Sequence, residues 1–336
     1  MSNNIRFGVI GAGRIGKIHA ENLAHRIPGA CVTAIADVNL PAAQETANRL
    51  QIPTSIADYH AILADPSIDA VAICSSTDTH ARIVIEAAIA GKQIFCEKPI
   101  DHDLEKIDHA LQAVDKAGVK LQVGFNRRYD PNFHKIHTMV VEGKIGTPQI
   151  LLITSRDPAP PPIEYIRVSG GIFLDMTCHD FDMARYLMGC EVEEIFVAGS
   201  VMVVPEIGKA GDIDTAIIVL RFENGAVGSI DNSRQAIYGY DQRVEIFGSG
   251  GMLAAHNNTP DNSVYSNADG VHSAKPLYFF LERYMDSFIA EMNQFVTCLQ
   301  KDTSPSVTGI DGRIAVLMGI AAKKSYLEKR PVKVFD

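Results

Sequence analysis

Three side chains in this sequence carry the marks of proton and charge chemistry. Lys98 lies in Cys96-Glu97-Lys98-Pro99, at the end of a short apolar run, and Asp175 and His179 stand four apart within Gly170–Asp180. A lysine at a strand end can donate a hydrogen bond to an oxygen that gains alkoxide character. Histidine titrates near neutrality, which suits removal of a proton from an alcohol as hydride leaves. On a helix, Asp175 would share a face with His179, where a carboxylate can orient or charge-balance the imidazole. Plainer readings compete at this point: a solvated surface lysine, a helix cap at Asp175, and a satisfied core histidine at position 179. Cys178-His179-Asp180 is discounted as a metal set, because neighbours along a helix point in different directions, and no metal is expected.

A charge-transfer site of this kind needs something to transfer to, and the N-terminus supplies a candidate. Gly11-Ala12-Gly13-Arg14-Ile15-Gly16 is a G-x-G-x-x-G motif that follows the apolar run Ile5–Ile10 and opens a helix-like stretch. In that context Gly11 permits the tight turn, Gly13 lets backbone approach a pyrophosphate, and Gly16 lets helix pack on strand. The helix N-terminus then offers N–H groups and the positive end of its dipole to phosphate. Asp37 ends the second apolar run about twenty residues further on, where a carboxylate can accept from ribose hydroxyls. Val38 and Asn39 follow it with no arginine to neutralise a 2′-phosphate, which favours NAD over NADP. Ser75, Thr77 and His80 follow the third run, and Glu97 and Lys98 the fourth. All five join the cofactor candidates as residues at carboxyl ends of strands. A plain helix cap is the competing role for Thr77 or Thr79.

The elements that must hold these groups are legible in outline. Apolar runs at Ile5–Ile10, Cys31–Ala36, Ala70–Cys74, Gln93–Cys96 and Leu121–Val123 alternate with helical patterns at Ile15–Ala24, Pro41–Leu50, Thr79–Ala90 and Leu104–Ala117. That rhythm predicts right-handed crossovers and a parallel sheet covered on both faces. Beyond residue 123 the rhythm changes to strand-like runs at Gln149–Ser155, Val192–Val204, Ile213–Phe222, Ala226–Arg234 and Gln242–Phe247. Short turns between them favour antiparallel pairing. Helices are expected from Asp175 to Met188, over Leu277–Leu299, and over Asp311–Glu328 with Asp311 as N-cap. The fold class is therefore α/β: an N-terminal dinucleotide-binding domain (1–123) and a C-terminal α+β domain (124–336).

Composition narrows the function classes. The 336 residues suit about two domains of ordinary size. Thirty-one basic against 40 acidic residues give a net charge of −9, which argues against a nucleic-acid partner. No apolar run is long enough to span a membrane, and Met1–Asn4 lead straight into Ile5 without a secretory pattern. Six well-separated cysteines with no Cys-x-x-Cys pair read as reduced thiols in the cytoplasm.

Taken together, the strand–GAGRIG–helix start, Glu97-Lys98-Pro99, Gly124-Phe125-Asn126-Arg127-Arg128-Tyr129-Asp130 and Asp175-x-x-x-His179 resemble the Gfo/Idh/MocA oxidoreductase family. Ser155-Arg156-Asp157-Pro158, Gly170–Asp182 and Tyr238-Gly239-Tyr240-Asp241 are similar to its bacterial inositol 2-dehydrogenases. The resemblance implies a Rossmann domain followed by a domain with a large, open, mostly antiparallel sheet that assembles a homotetramer. It implies Lys98 as the catalytic lysine, His179 as general base beside Asp175, and Arg127 or Arg128, Asp157 and Tyr238 as contacts to a polyol or sugar. Lys98, Asp175 and His179 would also touch that substrate. The implied reaction is NAD-dependent oxidation of a secondary hydroxyl of a cyclic polyol, myo-inositol first. The alternatives are scyllo-inositol, glucose or another sugar, or a non-catalytic NAD-sensing regulator. The intact lysine and Asp-x-x-x-His pair favour an enzyme.

Overall fold

The computed structural model describes residues 4–335; the terminal stretch Met1–Asn3 and Asp336 lie outside the described residues. The chain forms two compact units. One comprises residues up to Tyr129 together with Asp286–Val316, and the other Asp130–Met285 with the residues from Leu317 on. The division differs from a single boundary after residue 123, because a stretch near the C-terminus returns to the first unit.

The first unit opens with β1 (Ile5–Ile10), α1 (Arg14–His25), β2 (Ala30–Ala36), α2 (Leu40–Leu50), β3 (Thr54–Ile56) and α3 (His60–Ala64). It continues through β4 (Ala70–Ile73), α4 (Thr77–Ile89), β5 (Gln93–Glu97), α5 (Leu104–Ala117) and β6 (Leu121–Gly124). Its six strands pair in parallel in the order β3-β2-β1-β4-β5-β6. The order reverses at β1, and sheets of this kind bind ligands at the carboxyl ends of the strands beside such a reversal. The central β4 is apolar and wholly buried, and β6 is wholly buried with its Gln122, as a sheet covered on both faces requires. The short β3 and α3 depart from the expected pattern: Thr54–Ile56 has one exposed and two half-buried residues and no apolar run to announce it.

The second unit contains α6 (Pro131–Val141), β7 (Pro148–Arg156), α7 (Ile163–Val168), α8 (Gly171–Asp175), α9 (Thr177–Met188), β8 (Val192–Ser200), α10 (Pro205–Lys209), β9 (Thr215–Phe222), β10 (Val227–Ser233), β11 (Asp241–Gly248) and β12 (Gly251–Ala255). An exposed hairpin, β13 (Val264–Asn267) and β14 (Gly270–Ser273), and the single-turn α11 (Phe280–Arg283) follow. The helices α12 (Met285–Lys301) and α13 (Gly309–Glu328) and the strand β15 (Val332–Lys333) complete the chain. Seven strands form one open sheet, β12-β11-β7-β10-β9-β8-β15, antiparallel throughout except for the central β7–β10 pair. The expectation of a large, mostly antiparallel open sheet holds.

Three expected elements differ in detail. The helix expected from Asp175 is two pieces: Asp175 is the last residue of α8, and Met176 stands at the N-cap of α9. Gly170 and Gly171 both adopt positive φ (84° and 80°) ahead of α8, a conformation that favours glycine. Residues 277–299 break at Tyr284 into α11 and α12. Asp311 is not the N-cap of α13. The helix starts at Gly309, and the Asp311 carboxylate accepts from the Thr308 amide and hydroxyl, at 2.8 and 2.9 Å. This is a capping box with Thr308 as the cap.

Candidate functional site

In the first unit the glycine motif does three different jobs. Gly11 has φ 106°, and a Cβ there would lie 2.5 Å from the Cys74 carbonyl oxygen. At Gly16 a Cβ would come within 1.9 Å of the Gly11 carbonyl oxygen, so turn and helix touch backbone to backbone. A Cβ on Gly13 would meet nothing within 4 Å. Open backbone there, at an N-cap with no side-chain cap, suits a pyrophosphate on the first turn of a twelve-residue helix. Ala12 contributes its amide elsewhere: its N–H donates to Asp37 Oδ2 at 2.6 Å, while Asp37 Oδ1 accepts from Asn39 N–H at 2.8 Å. The carboxylate after β2 is thereby fixed to the loop after β1. Each oxygen retains a second lone pair for a hydroxyl donor. Arg14 is exposed and Ile15 half-buried in the first turn of α1.

The loops after β4 and β5 are tied together. Thr77 opens α4, with Ser76 as the N-cap. The Ser75 and Thr79 hydroxyls lie 2.7 Å apart. His80 is buried, with Nδ1 2.8 Å from the Pro99 carbonyl oxygen and Nε2 3.0 Å from that of Ser75. It braces the turn that carries Lys98, and the Lys98-Pro99 peptide in that turn is cis. Lys98 is half-buried just past the end of β5. Glu97 lies 2.7 Å from His19 Nε2 through Oε1. Arg127 is buried, whereas the Arg128 guanidinium donates to Asp311 at 2.9 Å and also to the Ser306 carbonyl.

In the second unit the polar residues gather around Asp175. Tyr165 OH donates to Asp175 Oδ1 at 2.8 Å, and Arg234 Nη1 donates to Oδ2 at 2.9 Å. The same Arg234 nitrogen lies 3.6 Å from Asp157. The parallel register explains the meeting: Arg156 of β7 pairs with Ser233 of β10, so the next residues, Asp157 and Arg234, emerge side by side. Arg234 is only 2% exposed. Burial alone would lower its pKa, but Asp175, Asp157 and Asp212 more than offset that and hold the guanidinium firmly charged. Asp212 accepts from the Ile172 amide at the start of α8, and burial pushes its carboxyl up. His179, half-buried, is carried by α9. That helix is pinned to the sheet by Asn232, whose amide donates to Asp180 at 2.9 Å and whose carbonyl accepts from Thr177 at 2.6 Å.

Tyr238 belongs to a neighbouring group. Its hydroxyl donates to Asp241 at 2.5 Å and accepts from Arg156 at 3.1 Å. Burial and the Asp241 hydrogen bond together raise its pKa. Tyr240 is buried, edge-on to Tyr284. Arg234 and Tyr165 were not singled out in the sequence. Arg234 reads as the last residue of an alternating strand and Tyr165 as one side chain of a short helix; only the parallel pairing and the fold of 163–175 bring them to Asp175.

A parallel sheet that reverses at a glycine-rich turn, with a carboxylate fixed beside that turn, defines a dinucleotide-binding protein, and the polar cluster on the second unit equips it for chemistry on a hydroxylated substrate. Residues 5–125 match the oxidoreductase family with an NAD-binding Rossmann fold, and residues 133–254 match the GFO/IDH/MocA C-terminal domain. The chain belongs to this family of NAD-binding oxidoreductases. It is 54% identical to a myo-inositol 2-dehydrogenase of Thermotoga maritima over 98% of both chains. It is 43% identical to an inositol 2-dehydrogenase of Rhizobium meliloti over 98% of this chain and 99% of that one. A crystal structure of scyllo-inositol dehydrogenase from Lactobacillus casei with bound NAD(H) and scyllo-inositol superposes with a TM-score of 0.93. That chain is 30% identical, with 99% of this chain and 100% of that chain covered.

Proposed function

We propose that the protein oxidises a secondary hydroxyl of a cyclic polyol, myo-inositol at C2, to the ketone 2-keto-myo-inositol, with NAD as acceptor. The observation that carries this reading is the Asp175 carboxylate clamped by Tyr165 and Arg234, four residues before His179. The full-length likeness to myo-inositol and inositol 2-dehydrogenases supports the substrate. The glycine turn and Asp37 would hold NAD, which supplies a hydride acceptor at its nicotinamide ring.

The chain's own residues do the rest. His179 takes the hydroxyl proton as general base. Asp175, fixed at both oxygens, orients and charge-balances the imidazole. Lys98 donates a hydrogen bond to the reacting oxygen and stabilises its developing negative charge. Arg127, Asp157 and Tyr238 hold further hydroxyls. A polyol presents donors and acceptors around its whole ring, and a site built to pair with them rejects analogues that lack them.

The first unit is the NAD-binding domain and the second the substrate-binding and oligomerisation domain in this reading. The exposed face of the seven-stranded sheet supports assembly. Leu152, Val219 and Phe196 lie in one cross-strand row with Ser229, and Ile150 and Val227 in the row beside it. All five apolar residues are exposed. A contiguous apolar sheet face of this kind marks an interface, and we assign it to a homotetramer. Among the described residues no helix is long and apolar enough to cross a membrane. Six free thiols support a cytoplasmic protein.

A second reading, scyllo-inositol as the preferred substrate, is favoured by the Lactobacillus casei relative. NADH formation across a panel of inositols and sugars, with NAD and NADP, separates the two. Lys98→Met is expected to lower kcat by about 10²–10⁴-fold while NAD binding persists, in the range of a lost transition-state donor or acid–base group. Wild-type turnover in Lys98→Met, or no oxidation of any polyol by the native protein, would overturn the proposal.

A further inference from the structure

Within the first unit, a fully buried titratable side chain stands outside the mechanism. Glu291 of α12 is 0% exposed, and neither carboxylate oxygen has a hydrogen-bond partner. His19 of α1, whose Nε2 lies 4.0 Å from Glu291 Oε1, and Glu97 at the end of β5 lie beside it. The three ligand-type atoms lie within 4.8 Å of one another. The α12 backbone is fixed at this point, because the Gln122 side chain of β6 donates to the Glu291 carbonyl at 2.9 Å. Aromatic rings wall the imidazole: Phe95 and Phe288 sit edge-on to His19 at 4.9 and 5.8 Å.

An ionised carboxylate can only accept hydrogen bonds, and among the described residues no protein group donates to this one. It would also face the Glu97 carboxylate in a water-excluded site, where an unpaired charge is strongly disfavoured. The protonated form removes both penalties and gains an O–H donor. We propose that Glu291 is held as a neutral, proton-bearing acid beside Glu97, and that with His19 it is a positioning residue for the carboxylate that immediately precedes Lys98. Burial first, and the Glu97 charge second, push the Glu291 carboxyl well above the ordinary range. The Cys74 thiol after β4 and the Tyr129 phenol after β6 also feel its charge.

The positioning role rests on the assignment of Lys98 above; the protonation state does not, and it is tested without substrate. An acid whose pKa is higher folded than unfolded contributes stability at low pH and loses it as pH rises toward the folded value. Glu291→Gln has no such loss. Its melting temperature is therefore expected to exceed that of the wild type by a margin that widens between about pH 5 and pH 8. The infrared carbonyl band of a protonated carboxyl is expected at neutral pH in the wild type and absent from Glu291→Gln. A margin that shrinks or changes sign as pH rises would overturn the proposal. So would a stoichiometric divalent ion, which would show an ionised ligand in place of an acid.

The positioning role is read by kinetics. Glu291→Leu, which removes the donor, is expected to lower kcat about tenfold with KM for NAD unchanged. Glu291→Gln, whose amide still donates, is expected to recover to within about threefold of the wild type. Wild-type kcat in Glu291→Leu, or no recovery in Glu291→Gln, would reduce Glu291 to a packing residue and overturn that half.

Discussion

Replacing Asp37 tests the cofactor half of the site with a magnitude that follows from its contacts. The carboxylate holds the Ala12 amide at 2.6 Å and the Asn39 amide at 2.8 Å. Asp37→Ser keeps one oxygen, on a shorter side chain, and so loses at least one charge-assisted bond worth about 1.5–3 kcal/mol. By the tenfold-per-1.4 kcal/mol rule, kcat/KM for NAD is expected to fall about 10–100-fold. The effect on NADP has the opposite sign. A unit charge pair at about 4 Å costs about 1 kcal/mol in bulk water and about 4 near a protein surface. Asp37 is half-buried beside the exposed Val38 and Asn39, so for a phosphate carrying nearly two charges we take about 2–3 kcal/mol. Its removal is expected to raise kcat/KM for NADP about 30–150-fold. The assay is initial-rate kinetics with both cofactors at saturating polyol. An NADP-to-NAD preference within about threefold of the wild type, less than 1 kcal/mol, would refute the reasoning.

Three further outcomes follow from the structure. Arg234→Met removes the guanidinium that Asp175 and Asp157 share. Removing one partner of a buried pair costs about 3–5 kcal/mol, and the partial exposure of both carboxylates places this case near 3. A lower melting temperature with kcat/KM for polyol down by more than about tenfold is expected, and Arg234→Lys, which keeps charge but not the planar fork, recovers stability more than rate. At Asp311, burial alone would raise the carboxyl, but Arg128 and the Thr308 amide outweigh it and hold it below the usual range. Its contribution is therefore present above about pH 4 and lost as pH falls further, so Asp311→Asn is expected to melt lower at neutral pH and to show a flatter acid limb. Val219→Lys on the exposed sheet face is expected to yield a smaller species by light scattering with the far-UV circular dichroism unchanged; a wild-type mass would remove that face from the interface.

The nucleotide-binding unit was largely legible because its signals are local. The run Ile5–Ile10 is apolar but for Arg6 and breaks on glycines whose roles follow from backbone geometry, and α5 shows both an Asp103 cap and a Gly118 stop. The failures there are equally physical. The three residues of β3 carry no pattern of their own and pair only because β2 offers an edge. Residues 286–301 and 309–316 are helical, but nothing in their periodicity says which unit they join. Their place follows from Phe295, whose ring meets Phe7 and Phe95 at 6.2 and 6.1 Å.

The polar cluster of the second unit was legible only in part, because long-range register decides it. Asp175 and His179 stand out by spacing, yet the reason first given for that spacing, one continuous helix, is replaced by a junction at Met176. What fixes Asp175 lies ten residues before it, at Tyr165, and 59 after it, at Arg234. Arg234 reaches it because β10 runs parallel to β7 in a sheet that is otherwise antiparallel. Had β10 paired antiparallel with β7, its final residues would lie beside the start of β7, far from Asp157. The one exception to the sheet's pattern is therefore what brings a buried guanidinium to two carboxylates. That exception is invisible to any reading that pairs successive strands through short turns.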